Sequence, residues 1–282
     1  MGSKHVVGIV GTGLIGGSIG MRSRRNGATV FGCDRDPSAL DRALAVGAID
    51  ASASRDELYA RADTIVLAMH LEATLAELER LRRLDSMRAG LVVDVGSVKT
   101  PICAFTGAIA QFVATHPMAG SQSAGAGAAR ADLFDGRTWA YVSSSNGPLD
   151  ARARAFIAAC GGVPLAVAAA EHDRIVAFTS HLPQVIAWSY AAQARDRETE
   201  TFGALKGTTS REMFRLAESD FEMWRDILRA NGPNVEPELR RLGTSLLEAA
   251  DRLRAGDVDG LRPASRRAGR SRRPVVDAGK PP

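Results

Sequence analysis

The chain has 282 residues, of which 45% are hydrophobic and 24% charged, enough to bury one large core or two ordinary ones. No uninterrupted apolar run reaches the length of a bilayer span and nothing resembles a secretory signal, so a cytoplasmic protein without membrane contact is expected. Cys33, Cys103 and Cys160 are odd in number and widely spaced, which excludes a disulfide framework and leads us to expect no metal site.

The first informative stretch, His5 to Gly20 (HVVGIVGTGLIGGSIG), reads as strand, tight turn and helix. Val6, Val7, Ile9 and Val10 form the short apolar run of a strand buried on both faces. Gly11-Thr12-Gly13-Leu14-Ile15-Gly16 follows at once. In a dinucleotide-binding turn the first glycine allows the sharp bend, the second lets the backbone approach a pyrophosphate, and the third lets the helix pack on the strand. The phosphates would rest on amides at the helix N-terminus, those of Leu14 and Ile15 among them. A second strand is expected over Ala28 to Cys33, with Asp34 at its end, 23 residues beyond Gly11, where an acid accepts ribose hydroxyls. The alternative is that Asp34 only caps the next turn. Arg35 could accommodate a 2′-phosphate, but an acid at position 34 favours NAD over NADP.

The alternation continues. A helix is expected from Pro37 to Val46, a strand from Asp63 to Met69, a helix carrying Leu71, Leu75, Leu78, Leu81 and Leu84 on one stripe, and a strand from Leu91 to Val95. A helix over Pro101 to Gln111 and a short strand over Phe112 to Thr115 follow, and Thr138 to Val142 and Val163 to Val167 are candidate further strands. This pattern predicts an α/β fold with a doubly wound, Rossmann-type parallel sheet. From Glu171 to about Gly260 the signals are helical. One long helix, Glu171 to Ala194, contains Pro183, which should kink it or open its hydrogen-bond ladder. After Pro233, a stripe of Val235, Leu239, Leu242, Leu246, Ala250 and Leu253 suits an all-helical dimerisation domain and a homodimer. The expected division is a dinucleotide-binding domain over 1–168, a helical substrate and dimerisation domain over 169–260, and a tail over 261–282. Seven basic residues and one acid give that tail +6 of the net +4, leaving the rest at −2. The basicity therefore belongs to a solvated segment that cannot build a core, and no nucleic-acid partner is expected.

Ligands of such sheets bind beyond the carboxyl ends of the strands. Asp94-Val95-Gly96-Ser97-Val98-Lys99 and Thr115-His116-Pro117-Met118-Ala119-Gly120 occupy two such positions. Ser97 and His116 could share a substrate hydroxyl, with the imidazole taking its proton as hydride leaves the same carbon. His181, beside the Pro183 kink, is either a pocket residue or a core histidine bonded to backbone. Arg215 is either a ligand clamp or half of a surface ion pair with Glu212 or Glu218.

GTGLIGGSIG, DVGSVK, THPMAGS, the EHD to SHLP helix and RLAESDFEMWRDIL together resemble the prephenate, arogenate and cyclohexadienyl dehydrogenase family, from about His5 to about Asp251. The resemblance implies oxidative decarboxylation of prephenate to 4-hydroxyphenylpyruvate with NAD(P) as hydride acceptor, and an active site between the two domains. By motif, His116 is similar to the catalytic histidine on the ring hydroxyl and Ser97 to the serine assisting it. His181 is similar to a substrate-pocket histidine, and Arg215 to the arginine orienting a carboxylate. Gln122 stands where many members have a pocket glutamate, and Arg211 is a second candidate clamp. The rival readings are a reductase of similar build acting on a 3-hydroxyacid or cyclic imine, and a non-catalytic NAD-binding protein.

Overall fold

Five consecutive residues with four buried, Val6–Val10, form strand β1, and the chain turns at Gly11 directly into helix α1, Leu14–Arg25. Hydrophobic runs and turns then alternate as expected: β2 Thr29–Cys33, α2 Pro37–Ala45, β3 Ala51–Ser52, α3 Arg55–Arg61, β4 Thr64–Leu67, α4 Leu71–Arg82 and β5 Leu91–Asp94. The computed structural model describes residues 4–84, 86–120, 125–197 and 199–262. With β6, Phe112–Val113, these strands make one six-stranded sheet in the order β3-β2-β1-β4-β5-β6, with every pair parallel. This is the doubly wound order whose reversal between β1 and β4 opens a crevice at the strands' carboxyl ends. Its interior is dry: Ile9, Val30, Ile65, Val66, Val92 and Val93 are inaccessible to solvent.

Two expectations need correction. The helix expected over residues 101–111 is only α5, Thr100–Cys103. Phe105 and Thr106 donate three residues back, and Gly107 enters the left-handed region at φ +83°, which stops propagation. The strand expected over 112–115 is split, because the Thr115 amide donates to the Asp94 carboxylate instead of extending the ladder. The chain thereby leaves the large sheet, and β7, Thr115–Pro117, joins β8, Thr138–Tyr141, and β9, Val163–Ala166, in a second sheet of order β7-β8-β9. The candidate strands at 138 and 163 therefore lie in that small sheet, with β7 antiparallel to β8. Between them runs α6, Gly147–Ala159, capped by Asn146, whose side chain accepts from the Leu149 amide.

From Ala169 onward the described chain is helical, as expected. The long helix exists, with its ladder opened just before Pro183: α7, Ala169–Val176, passes through a π-helical turn, Ala177–His181, into α8, Leu182–Ala194. Proline supplies no amide there, and the Leu182 amide reaches five residues back to Ala177. The short α9, Glu200–Leu205, and α10, Thr208–Ala217, precede α11, Phe221–Arg254. Residues through Val235 form one compact unit, and residues from Glu236 form a second. In the second, Arg241 pairs with Glu238 at 3.0 Å, while Leu246, Leu247 and Leu253 are exposed. The basic tail lies almost wholly outside the described residues. Among those described, no helix is long and apolar enough to cross a membrane.

Candidate active site

Each glycine of the first turn has its own structural demand. Gly11 has φ +95°, a conformation that side chains oppose, and a Cβ there would lie 2.4 Å from the Ala68 carbonyl oxygen. On Gly16 a Cβ would sit 2.0 Å from the Gly11 oxygen. At Gly13, by contrast, a Cβ would meet no protein atom within 4 Å. Gly11 and Gly16 are therefore required by the fold, whereas the space at Gly13 fits a diphosphate laid against the start of α1, beside Leu14 and Ile15. Asp34 is not the cap of α2; Asp36 is, accepting from the Ser38 amide at 2.9 Å. Asp34 Oδ2 accepts from the Thr12 amide at 2.7 Å and the Thr12 hydroxyl at 3.2 Å, which ties the end of β2 to the glycine turn, while its Oδ1 accepts from the Asp36 amide at 3.1 Å and so also closes the turn that leads into α2. Arg35 is exposed next to it. These residues fit a bound dinucleotide, which would supply the hydride acceptor.

A second constellation lies beyond β5. Lys99 is fully buried, and its ammonium is held by Asp94 Oδ2 and the Thr115 carbonyl, each at 2.5 Å. Asp94 also accepts from the Gly96 and Thr115 amides at 2.8 Å, so the charge pair is satisfied on both sides. This clamp fixes the start of β7 and hence the backbone of His116. It also shapes the turn carrying half-buried Ser97. In the sequence Lys99 is only the last residue of DVGSVK; in the structure it holds together two strand ends that belong to different sheets.

His116 Nδ1 lies 2.9 Å from His172 Nε2, and His172 Nδ1 lies 2.8 Å from Asp173 Oδ1. The Asp173 carboxylate in turn accepts from the Lys99 amide at 2.7 Å and the Thr100 amide at 2.8 Å. Burial pushes the Asp173 carboxyl upward, but the bonds from His172 and these amides outweigh it and leave the group below the ordinary range. For His116 burial is the largest influence, and Lys99, His172 and His181 add to it against Asp173; its pKa lies well below the usual 6.5. The ring is therefore neutral at physiological pH and able to take a proton.

His181 ends the π turn and is buried at 1% exposure. Its Nδ1 lies 3.0 Å from Asn231 Nδ2, which also donates to the Asp173 carbonyl at 2.8 Å. The reading of His181 as a core histidine bonded to backbone is thus replaced by a bond to a side chain. Burial lowers its pKa to about 4, with Asp173 opposing and His172 assisting. The ring of Trp224 packs edge-on against it at 5.7 Å.

The structure brings His116, His181 and the turn bearing Ser97 into one cluster. Both candidate arginines lie on α10. Arg215 pairs with Glu212 at 2.7 Å, and Arg211 donates to the Lys206 carbonyl at 2.9 Å. α10 is nonetheless tied to the helix bearing His181, because Gln184 donates to the Leu216 carbonyl and Trp188 to that of Ala217. Gln122 lies outside the described residues. The sequence reading missed His172, Asp173 and Asn231 as site residues. An adjacent His-Asp pair in a helix was the only available signal, and Asn231 carried none.

A doubly wound sheet with a glycine turn at its first strand, an acid at its second and a half-buried, neutral histidine on the strand that follows its sixth defines a dinucleotide-dependent oxidoreductase. The family model "Prephenate dehydrogenase, nucleotide-binding domain" matches residues 19–163, and "Prephenate dehydrogenase, dimerization domain" matches 168–265. The chain belongs to the prephenate dehydrogenase family. It is 34% identical over 264 residues to a probable prephenate dehydrogenase of Streptomyces niveus, covering 89% of this chain and 69% of that one. Against the prephenate dehydrogenase of Bacillus subtilis the identity is 31% over 246 residues, covering 82% and 66%. The chain thus spans about two thirds of the length of these curated relatives. The crystal structure of prephenate dehydrogenase from A. aeolicus, in complex with hydroxyphenyl propionate and NAD+, superposes with a TM-score of 0.81 at 24% identity, covering 91% of this chain and 93% of that one.

Proposed function

We propose that the chain oxidatively decarboxylates prephenate to 4-hydroxyphenylpyruvate, with NAD as the hydride acceptor. The observation that carries this reading is His116, a neutral imidazole held at a strand end by the Lys99 clamp and the His172 bond. As hydride leaves the carbon bearing the ring hydroxyl, the hydroxyl proton passes to His116, assisted by Ser97. Loss of the ring carboxylate as CO2 returns its bonding pair to the ring, the carbonyl oxygen becomes a phenolate, and that oxygen takes the proton back. No proton is gained or lost overall.

His181 and Gln122 contribute to the substrate pocket, and Arg215, with Arg211 as a second candidate clamp, orients a carboxylate. A planar guanidinium grips such a group in two places. Its work is orientation, since strong stabilisation of the departing carboxylate would oppose its loss. NAD is favoured over NADP because Asp34, tied to the glycine turn, would oppose a 2′-phosphate. The dinucleotide-binding part is assigned to residues 1–168 and the helical part to 169–260. The exposed leucines beyond Val235 and the match to a dimerization domain support a homodimer, and we place the enzyme in the cytoplasm.

The test follows reduced cofactor by absorbance with prephenate or arogenate, each with NAD or NADP. Rapid reduction with prephenate and NAD is expected. Preference for arogenate would keep the chemistry and replace the substrate. Silence in all four assays, with NAD still bound, would overturn the assignment.

A further inference from the structure

The residues behind His116 form a row whose hydrogen-bond direction the catalytic reading has not yet used. Asp173 Oδ1, His172 Nδ1, His172 Nε2 and His116 Nδ1 are joined by contacts of 2.8 and 2.9 Å. His172 and Asp173 are 4% and 1% exposed, so water does not compete for these bonds. The two imidazole rings meet edge-on, with centroids 5.1 Å apart.

We propose that His172 and Asp173 are positioning residues that fix the tautomer of His116, holding its proton on Nδ1 and leaving Nε2 as the lone pair that accepts the substrate's hydroxyl proton. The inference rests on the reading of His116 as the base, and deepens it. Hydrogen-bond direction runs one way along the row. An ionised carboxylate only accepts, and Asp173 already accepts from two backbone amides. His172 must therefore carry hydrogen on Nδ1. With one proton on each ring, His172 Nε2 is an acceptor, and His116 must donate to it from Nδ1. Nε2 of His116 is then the basic nitrogen. When it takes a proton, the imidazolium is stabilised through His172 by the Asp173 charge. This acts against burial, the Lys99 ammonium, which faces the ring from the turn after β5, His172, and His181 from the π turn, each of which weighs more on the ring than Asp173 does.

His181 is set the opposite way by the same reasoning. Asn231 Nδ2 is identified as a donor by its bond to the Asp173 carbonyl, and Asn231 Oδ1 accepts from Asn234 at 2.8 Å. His181 Nδ1 must therefore accept, which puts its proton on Nε2. The cluster presents one ring that accepts at Nε2 and one that donates there.

The experiment is nitrogen-15 NMR of the full chain labelled at histidine, with the five histidines assigned by single substitutions. The expected result is a protonated Nδ1 and bare Nε2 for His116, and the reverse for His181. A His116 ring protonated on Nε2 in the native enzyme overturns the proposal, whatever the substrate proves to be. Asp173→Asn can donate to His172 and so reverse the row. It should switch His116 to the Nε2 proton and lower kcat ~100-fold or more, with NAD affinity within about twofold. Because Asp173 also holds two backbone amides, His172→Phe is the second variant; it removes the acceptor while keeping a ring. It should leave His116 a mixture of tautomers, lower kcat and move the acid limb of the pH profile. Unchanged kcat and pH profile in a folded His172→Phe enzyme would overturn the positioning role. Loss of the wild-type tautomer prediction and failure of the prephenate assay are separate outcomes, since the NMR measurement needs no substrate.

Discussion

The glycine turn and the histidine cluster, the two halves of the proposed site, are assembled at different scales. The turn is made by a short stretch of backbone, whose hydrogen bonds to Cys33 and Asp34 each span 22 residues, with the Ala68 carbonyl packed against Gly11. The cluster draws on the ends of β5 and β7, on α7 and on α11, with bonds spanning 56 residues from His116 to His172, 74 from Lys99 to Asp173 and 58 from Asn231 to Asp173. A local site depends on which backbone angles a residue permits. A distributed one depends on each buried polar atom finding a partner, so removing one member leaves the others uncompensated.

The sharpest way to separate the two regions is His116→Asn. Turnover should fall at least ~100-fold while NAD affinity, measured by fluorescence titration, is nearly unchanged. Equal loss of both would mean that the two regions are not independent. Lys99→Met should next expose the distributed character of the cluster. It strands the buried Asp94 carboxylate, and denaturant titration should show a loss of about 3–5 kcal/mol.

Acid should weaken the cluster and spare the turn. His181 titrates near 4 in the folded protein against an ordinary 6.5, so the unfolded chain binds its proton first. The neutral buried ring's contribution is fully present above pH 6.5 and is lost as pH falls towards 4, amounting to about 3 kcal/mol. Stability curves of wild type and His181→Gln should converge at low pH, and parallel curves would remove His181 as the cause.

Within the turn the effects should be local. Gly13→Val has open space for its side chain, so the melting temperature should hold while dinucleotide affinity falls about 100-fold, or ~3 kcal/mol. Asp34→Ala is the mildest, weakening NAD by about tenfold and NADP less. Equal weakening of both would remove Asp34 as the discriminator.

Where a residue's role depends on its neighbours in the chain, the sequence alone was enough to read it. The buried run before Gly11, the opposite demands on Gly13 and Gly16, and the opened ladder before Pro183 all follow from local backbone chemistry. His116, Ser97 and His181 could be named because short motifs carry them. What only the tertiary structure decided is where chain segments meet. The Asp94 carboxylate captures the Thr115 amide and sends β7 into a second sheet, which no periodicity in Phe112 to Thr115 announces. Lys99 reads as an available ammonium until its partners arrive from two strands, and Arg215 is seen paired with Glu212. His172, Asp173 and Asn231 acquire a role only when burial removes water and leaves each one's hydrogen-bond partner to be supplied by a distant segment.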